Sequence, residues 1–157
     1  MPSDQIQWFP GHMAKTRRLI KENLSSVDII IELLDARIPR SSKNPEIDAL
    51  VYPKPVLTVM NKASLADPNA SSRWKAIYEK EGKHLVITDC VEKKGLSEIV
   101  TAVQNILSEK IERNREKGMV GKTVKAMVLG IPNVGKSSFI NRIAGNTNCR
   151  RTAEKTV

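Results

Sequence analysis

The sequence predicts an α/β protein built on a parallel sheet with helices on both faces. Three observations carry this. Short β-branched runs alternate with amphipathic stretches along the chain, which is the signature of βαβ units. The last such run leads directly into Gly130-Ile131-Pro132-Asn133-Val134-Gly135-Lys136-Ser137, a G-x-x-x-x-G-K-[ST] pattern. Helical spacing follows it at once, giving the strand–loop–helix context that this pattern requires.

Taken in order, residues 1–12 read as an irregular arm ending in Trp8-Phe9-Pro10-Gly11-His12, and 13–26 as an amphipathic helix with Leu19, Ile20 and Leu24 on one face. Residues 27–34 (VDIIIELL) predict a first strand. Residues 35–43 predict a loop, and Asn44-Pro45 opens a short helix over 45–51, with proline at its first position. Pro53 and Pro55 bracket a turn into a second strand, 56–60. Asp67-Pro68 repeats the cap-plus-proline signal and opens a helix near 68–81. A third strand is expected over 84–88. The apolar positions 96, 99, 100, 103, 106 and 107 predict one long helix over 96–117. Strand 124–129 and helix 136–144 complete a four-stranded sheet, in which 124–129 should lie beside 27–34, followed by 56–60 and then 84–88.

The glycine pattern has a physical logic. Gly130 and Gly135 let the backbone turn sharply and approach an anion closely. The following helix then points unpaired N–H groups at that anion. Lys136 would reach the terminal phosphates of a nucleotide, and Ser137 would offer a hydroxyl to Mg²⁺.

Composition limits the alternatives. The 157 residues suit one domain plus tails, and with 40% hydrophobic but only 4% aromatic residues the core must be aliphatic. Met1–Gln7 is polar and unlike a signal peptide, and the apolar run 27–34 is too short to span a bilayer. Cys90 and Cys149 lack metal-ligand spacing and read as reduced thiols in a cytoplasmic protein. The net charge of +9 is uneven: residues 1–109 hold 15 basic and 14 acidic side chains, residues 110–157 hold 11 and 3. Lys110, Arg113, Arg115, Lys117, Lys122, Lys125, Arg150 and Arg151 make a polyanionic partner such as RNA plausible, against the plainer reading of a solvated helix face.

Three motifs in one order carry a resemblance. Trp8-Phe9-Pro10-Gly11-His12-Met13-Ala14-Lys15, Asp35-Ala36-Arg37-Ile38-Pro39 and Gly130–Ser137 together resemble the circularly permuted GTPases of large-ribosomal-subunit assembly, the ribosome biogenesis GTPase A type, up to about Gly145. The resemblance implies an arm (1–13), a partial G domain (14–145) with a parallel P-loop GTPase-type sheet in circularly permuted order, incomplete at four strands, and a polar tail (146–157), without the family's C-terminal helical domain. It implies a nucleotide site of Asn61, Lys62, Ala63 and Ser64 (the N-K-x-D position), Thr88, Asp89 and Cys90, and Asn133, Val134, Gly135, Lys136, Ser137 and Ser138. Ser137 would hold Mg²⁺, Asn133 would help hold K⁺, and His12 would aid hydrolysis. The implied ligands are GTP and GDP. The implied partner is the large-subunit precursor and its RNA, with no membrane and no DNA.

Two departures matter. Ser64 stands where the family has an aspartate that accepts from guanine, so Ser64→Asp is expected to raise the preference for guanine. The D-x-x-G motif does not appear after the phosphate loop, so weak nucleotide binding and negligible hydrolysis are expected. The alternative reading is a non-hydrolysing nucleotide- or RNA-binding remnant, or a truncated inactive product.

Overall fold

The computed structural model describes residues 10–131 and 134–146. Four parallel strands, β1 (Ile29–Asp35), β2 (Val56–Asn61), β3 (His84–Ile87) and β4 (Ala126–Gly130), lie in the order β3-β2-β1-β4. This is the expected order. Strand β1 is central and buried along its whole length, as a β-branched run covered on both faces must be.

Side chains alternate across the sheet with the strand period of two. Ile29, Ile31 and Leu33 join Leu57, Val59, Val86 and Phe139 on one face, covered by α5 (Leu96–Ile106) and α7 (Lys136–Asn146). Ile30 packs with Ile20, Ile47 and Val51 on the other, beneath α1 (Pro10–Leu24) and α3 (Ile47–Val51). Leu34, Met60 and Leu85 extend that face under Tyr78 of α4 (Pro68–Lys80). Arg17 ties α1 to the start of α3 through both carboxylate oxygens of Glu46, at 2.7 and 2.8 Å.

Glu32 interrupts this apolar pattern while remaining buried; the Lys43 ammonium meets both its oxygens, at 2.9 and 3.1 Å. Burial pushes the Glu32 carboxyl up and outweighs the lysine's opposing effect.

Several expectations are corrected. Helix α1 starts at Pro10 rather than 13, because proline's fixed φ suits a first helical position. Residues Pro39–Ser42, read as loop, form a helical turn, α2; Ser42 closes it by donating to the Pro39 carbonyl at 3.1 Å while accepting the Asp35 N–H at 2.9 Å. The single helix over 96–117 bends at Leu107 (φ −96°, ψ 9°) into α5 and α6 (Ser108–Glu116). Backbone bonds continue through the bend, Leu107 to Val103 at 3.0 Å and Ile111 to Leu107 at 2.9 Å. Leu107 is the last core residue of the stripe, and no residue of α6 is buried, so core packing does not hold α6 to the line of α5.

Asp67 caps α4 as read, its carboxylate accepting the Asn69 N–H at 2.9 Å. Asn44 instead makes a turn by accepting from Glu46 N–H at 3.0 Å, and α3 begins at Ile47. No helix among the described residues is long and apolar enough to cross a membrane.

Candidate functional site

Register places the candidate residues. Asp35 lies opposite Asn61, and Leu33 opposite Gly130, so the 61–64 loop after β2 and the glycine-rich loop after β4 leave the sheet at one edge. That is the carboxyl edge, where open α/β sheets bind ligands.

Asn61 joins these loops. It is buried, and its carboxamide donates from Nδ2 to the Val134 carbonyl at 3.4 Å while Oδ1 accepts the Cys90 N–H at 3.2 Å. Its own carbonyl accepts from Ala36 N–H at 2.8 Å. One side chain therefore aligns the 61–64, 88–90 and 134–135 segments. Ala63 N–H donates to the Thr88 carbonyl at 3.1 Å and Thr88 N–H to the Met60 carbonyl at 2.8 Å, which seats the second loop against the first.

Lys62 follows with φ 64° and ψ 35°. A left-handed conformation costs a non-glycine residue roughly 1–2 kcal/mol. It directs the Lys62 ammonium to 3.6 Å from Asp35 Oδ2. Asp35 also accepts from Arg37, backbone N–H at 2.9 Å, Nε at 3.0 Å and Nη2 at 2.7 Å. The Arg37 hydrogen bonds outweigh burial and hold the Asp35 carboxyl at about 2. The Asp35-Ala36-Arg37 motif is thus fastened to the 61–64 loop.

The 88–94 loop is closed on itself. Asp89 and Lys94 exchange two backbone bonds of 3.0 Å. Gly95 then turns with φ 75°, where a Cβ would sit 2.2 Å from the Ile87 carbonyl oxygen; only glycine fits. The Asp89 carboxylate is buried and accepts from Val91 N–H (3.0 Å), Glu92 N–H (2.9 Å), Ser64 N–H (2.9 Å) and the Ser64 hydroxyl. Thr88 and Cys90 are buried too, and burial pushes the Cys90 thiol up. Sequence reasoning missed the Ser64–Asp89 and Asp35–Lys62 pairings.

In the phosphate loop Val134 is buried, and a Cβ on Gly130 would meet its Cγ1 at 2.8 Å. Gly135 has φ 94°. Phe139, 1% exposed, anchors α7 in the core, a burial worth about 1.5–3 kcal/mol. Lys136 donates to the Gly130 carbonyl at 3.2 Å, and burial lowers its ammonium from its ordinary value. Ser137 and Ser138 are exposed in the first turn of α7. Asn133, the His12 side chain and residues 147–157 lie outside the described residues.

Among the described residues no group of three or more histidine, cysteine or carboxylate side chains could hold a metal. Among the described residues, the oxygen donors at the start of α7 are the Ser137 and Ser138 hydroxyls, too few to hold a Mg²⁺ without oxygens from a ligand and water.

Comparison with known proteins bears on the family resemblance and the fold. Residues 125–157 match the family described as 50S ribosome-binding GTPase. The chain is 45% identical over 150 residues to Ribosome biogenesis GTPase A of Bacillus pumilus, covering 96% of this chain and 53% of that protein. It is 46% identical over 140 residues to the protein of the same name from Priestia megaterium, covering 88% and 49%. Mitochondrial ribosome-associated GTPase 1 of Bos taurus is 39% identical over 143 residues, covering 89% and 42%. The crystal structure of GNP-bound YlqF from T. maritima superposes with a TM-score of 0.63 at 23% identity, over 84% of this chain and 48% of that one, which shows a shared fold. The chain spans about half the length of these relatives. Over that half, the chain is similar to the proteins named Ribosome biogenesis GTPase A.

Proposed function

We propose that this chain forms the guanine-nucleotide site of a circularly permuted GTPase that acts in maturation of the large ribosomal subunit. The observation that carries it is the Asn61 carboxamide, which joins the 61–64 loop to the 88–90 segment and to Val134 of the glycine-rich loop. The phosphates lie on the amides of 134–138, where Lys136 exchanges its Gly130 carbonyl for phosphate oxygen. Ser137 is the Mg²⁺ ligand, and the metal neutralises charge on the phosphates. Asn61, Lys62, Ala63 and Ser64 with the 88–90 backbone hold the base. Asn133 as a K⁺ ligand and His12 as an aid to hydrolysis belong to the same reading.

Pre-ribosomal RNA is the proposed partner, in the cytoplasm. The basic surface supports it in part: Arg113, Arg115, Lys117, Lys122 and Lys125 are exposed, whereas Lys110 is paired with Asp28 at 2.5 Å.

Calorimetric titration with GDP and Mg²⁺ tests the site. Saturable binding is expected, weakened at least about tenfold by Lys136→Ala, since a charge-assisted bond to phosphate is lost. No binding, or binding indifferent to Lys136, contradicts the proposal.

A further inference from the structure

We propose that Ser64 and Asp89 act together as the acceptor for the donor edge of the purine base, with Ser64 touching the base and Asp89 positioning it from behind. This rests on the nucleotide-site reading above.

The argument is a count of protons and lone pairs. Asp89 is 2% exposed and each of its oxygens takes two donors: Oδ1 from the amides of Val91 and Glu92, Oδ2 from the amide and the hydroxyl of Ser64. Burial opposes its ionisation, but these donors outweigh burial and hold the carboxyl below its ordinary value. An ionised carboxylate only accepts, so the Ser64 hydroxyl gives it its one proton. Ser64 itself is exposed. What it presents outward is oxygen lone pairs, polarised by the carboxylate behind them.

Ser64 is therefore an acceptor without donor capacity. It pairs with a base that presents an N–H at N1 and rejects one that presents a bare nitrogen there. That selects 6-oxopurine nucleotides over adenine nucleotides. A single hydroxyl oxygen satisfies N1–H and reaches a 2-amino group poorly, so guanine and hypoxanthine should be distinguished little.

The same geometry reverses the expectation for Ser64→Asp. A second carboxylate would lie against Asp89, and like charges in contact cannot both ionise freely. The gain should appear only when Asp89 is also changed to Asn, whose Oδ1 keeps the Val91 and Glu92 amides and whose Nδ2 donates to the new aspartate, at the loss of the bond that Asp89 accepts from the residue-64 amide. In Asp89→Asn alone, Nδ2 faces the Ser64 oxygen and turns the serine proton outward, against N1–H.

Calorimetric titration of GDP, IDP and ADP with Mg²⁺ tests this on the wild-type chain, Ser64→Ala, Asp89→Asn, Ser64→Asp and the double variant Ser64→Asp/Asp89→Asn. The wild type should bind GDP and IDP within about threefold of each other, as one weak hydrogen bond implies, and ADP more weakly. Ser64→Ala and Asp89→Asn should each lower the GDP-to-ADP affinity ratio about fivefold, the worth of one neutral hydrogen bond. The double variant should raise the GDP-to-IDP ratio above wild type, and Ser64→Asp alone should not. Should Asp89→Asn fail to fold, Ser64→Ala, which leaves the backbone bond to Asp89 in place, decides. Unchanged ratios in a wild type that binds GDP overturn this proposal and leave the nucleotide site standing; a wild type that binds none of the three overturns both.

Discussion

The Asn61 side chain and the Val134 carbonyl, 73 residues apart in sequence, meet in one hydrogen bond at 3.4 Å. The contact exists because β2 and β4 flank β1 and all three run parallel, so their carboxyl ends share an edge. Asn61→Asp keeps the size but sets an acceptor against the Val134 carbonyl. It should cost about 1–3 kcal/mol, the price of an unpaired buried group, read as a lower urea midpoint. An unchanged midpoint would show that the bond is dispensable.

Gly135 permits that approach. A Cβ there would lie 2.6 Å from Asn61 Nδ2, at a φ of 94° that side chains avoid. Gly135→Ala should push the loop off Asn61, lower GDP affinity at least about tenfold and cost roughly 1–3 kcal/mol in thermal stability. Gly82, whose Cβ would meet nothing within 4 Å, is the control: Gly82→Ala should leave GDP affinity unchanged.

The Asp35–Arg37 pair gives acid sensitivity. The Asp35 carboxyl falls from 3.8 to about 2 in the folded chain. A depressed folded value stabilises above the unfolded one, so this contribution is full at neutral pH and is lost as pH falls from about 4 towards 2. Because Arg37 is 47% exposed, solvent screening keeps this contribution small. Urea midpoints of wild type and Arg37→Ala should differ at pH 7 and converge near pH 2. A difference that persists at the acid end would point to packing instead.

Lys43 and Glu32 form the buried pair, with side chains 21% and 2% exposed. Lys43→Met should destabilise by about 3–5 kcal/mol by leaving Glu32 uncompensated. Glu32→Gln in the same chain should recover part of that loss, measured as a coupling in a double-variant cycle. Additive losses would contradict a coupled pair.

The legible part of the molecule was the part that repeats locally. Strand positions, their order and the Asp67 cap follow from β-branched runs and from residue types with narrow backbone preferences. The phosphate loop is readable because its chemistry needs glycine, lysine and serine at fixed spacing. What could not be read is pairing between loops. Ser64 looks like a loss when compared with a carboxylate at its own position; Asp89 supplies one from another loop, and no periodicity connects them. The bend at Leu107 was hidden for a related reason, since the apolar stripe runs to Leu107 without a glycine or proline to mark its end.

The central claim is that segments far apart in sequence form one nucleotide cleft. Amide hydrogen exchange with and without GDP and Mg²⁺ tests it most directly. The account predicts that residues 61–64 and 88–90 gain protection together with 134–138, at the same nucleotide concentration. Protection confined to 134–138, with 61–64 and 88–90 unchanged at saturation, would contradict it.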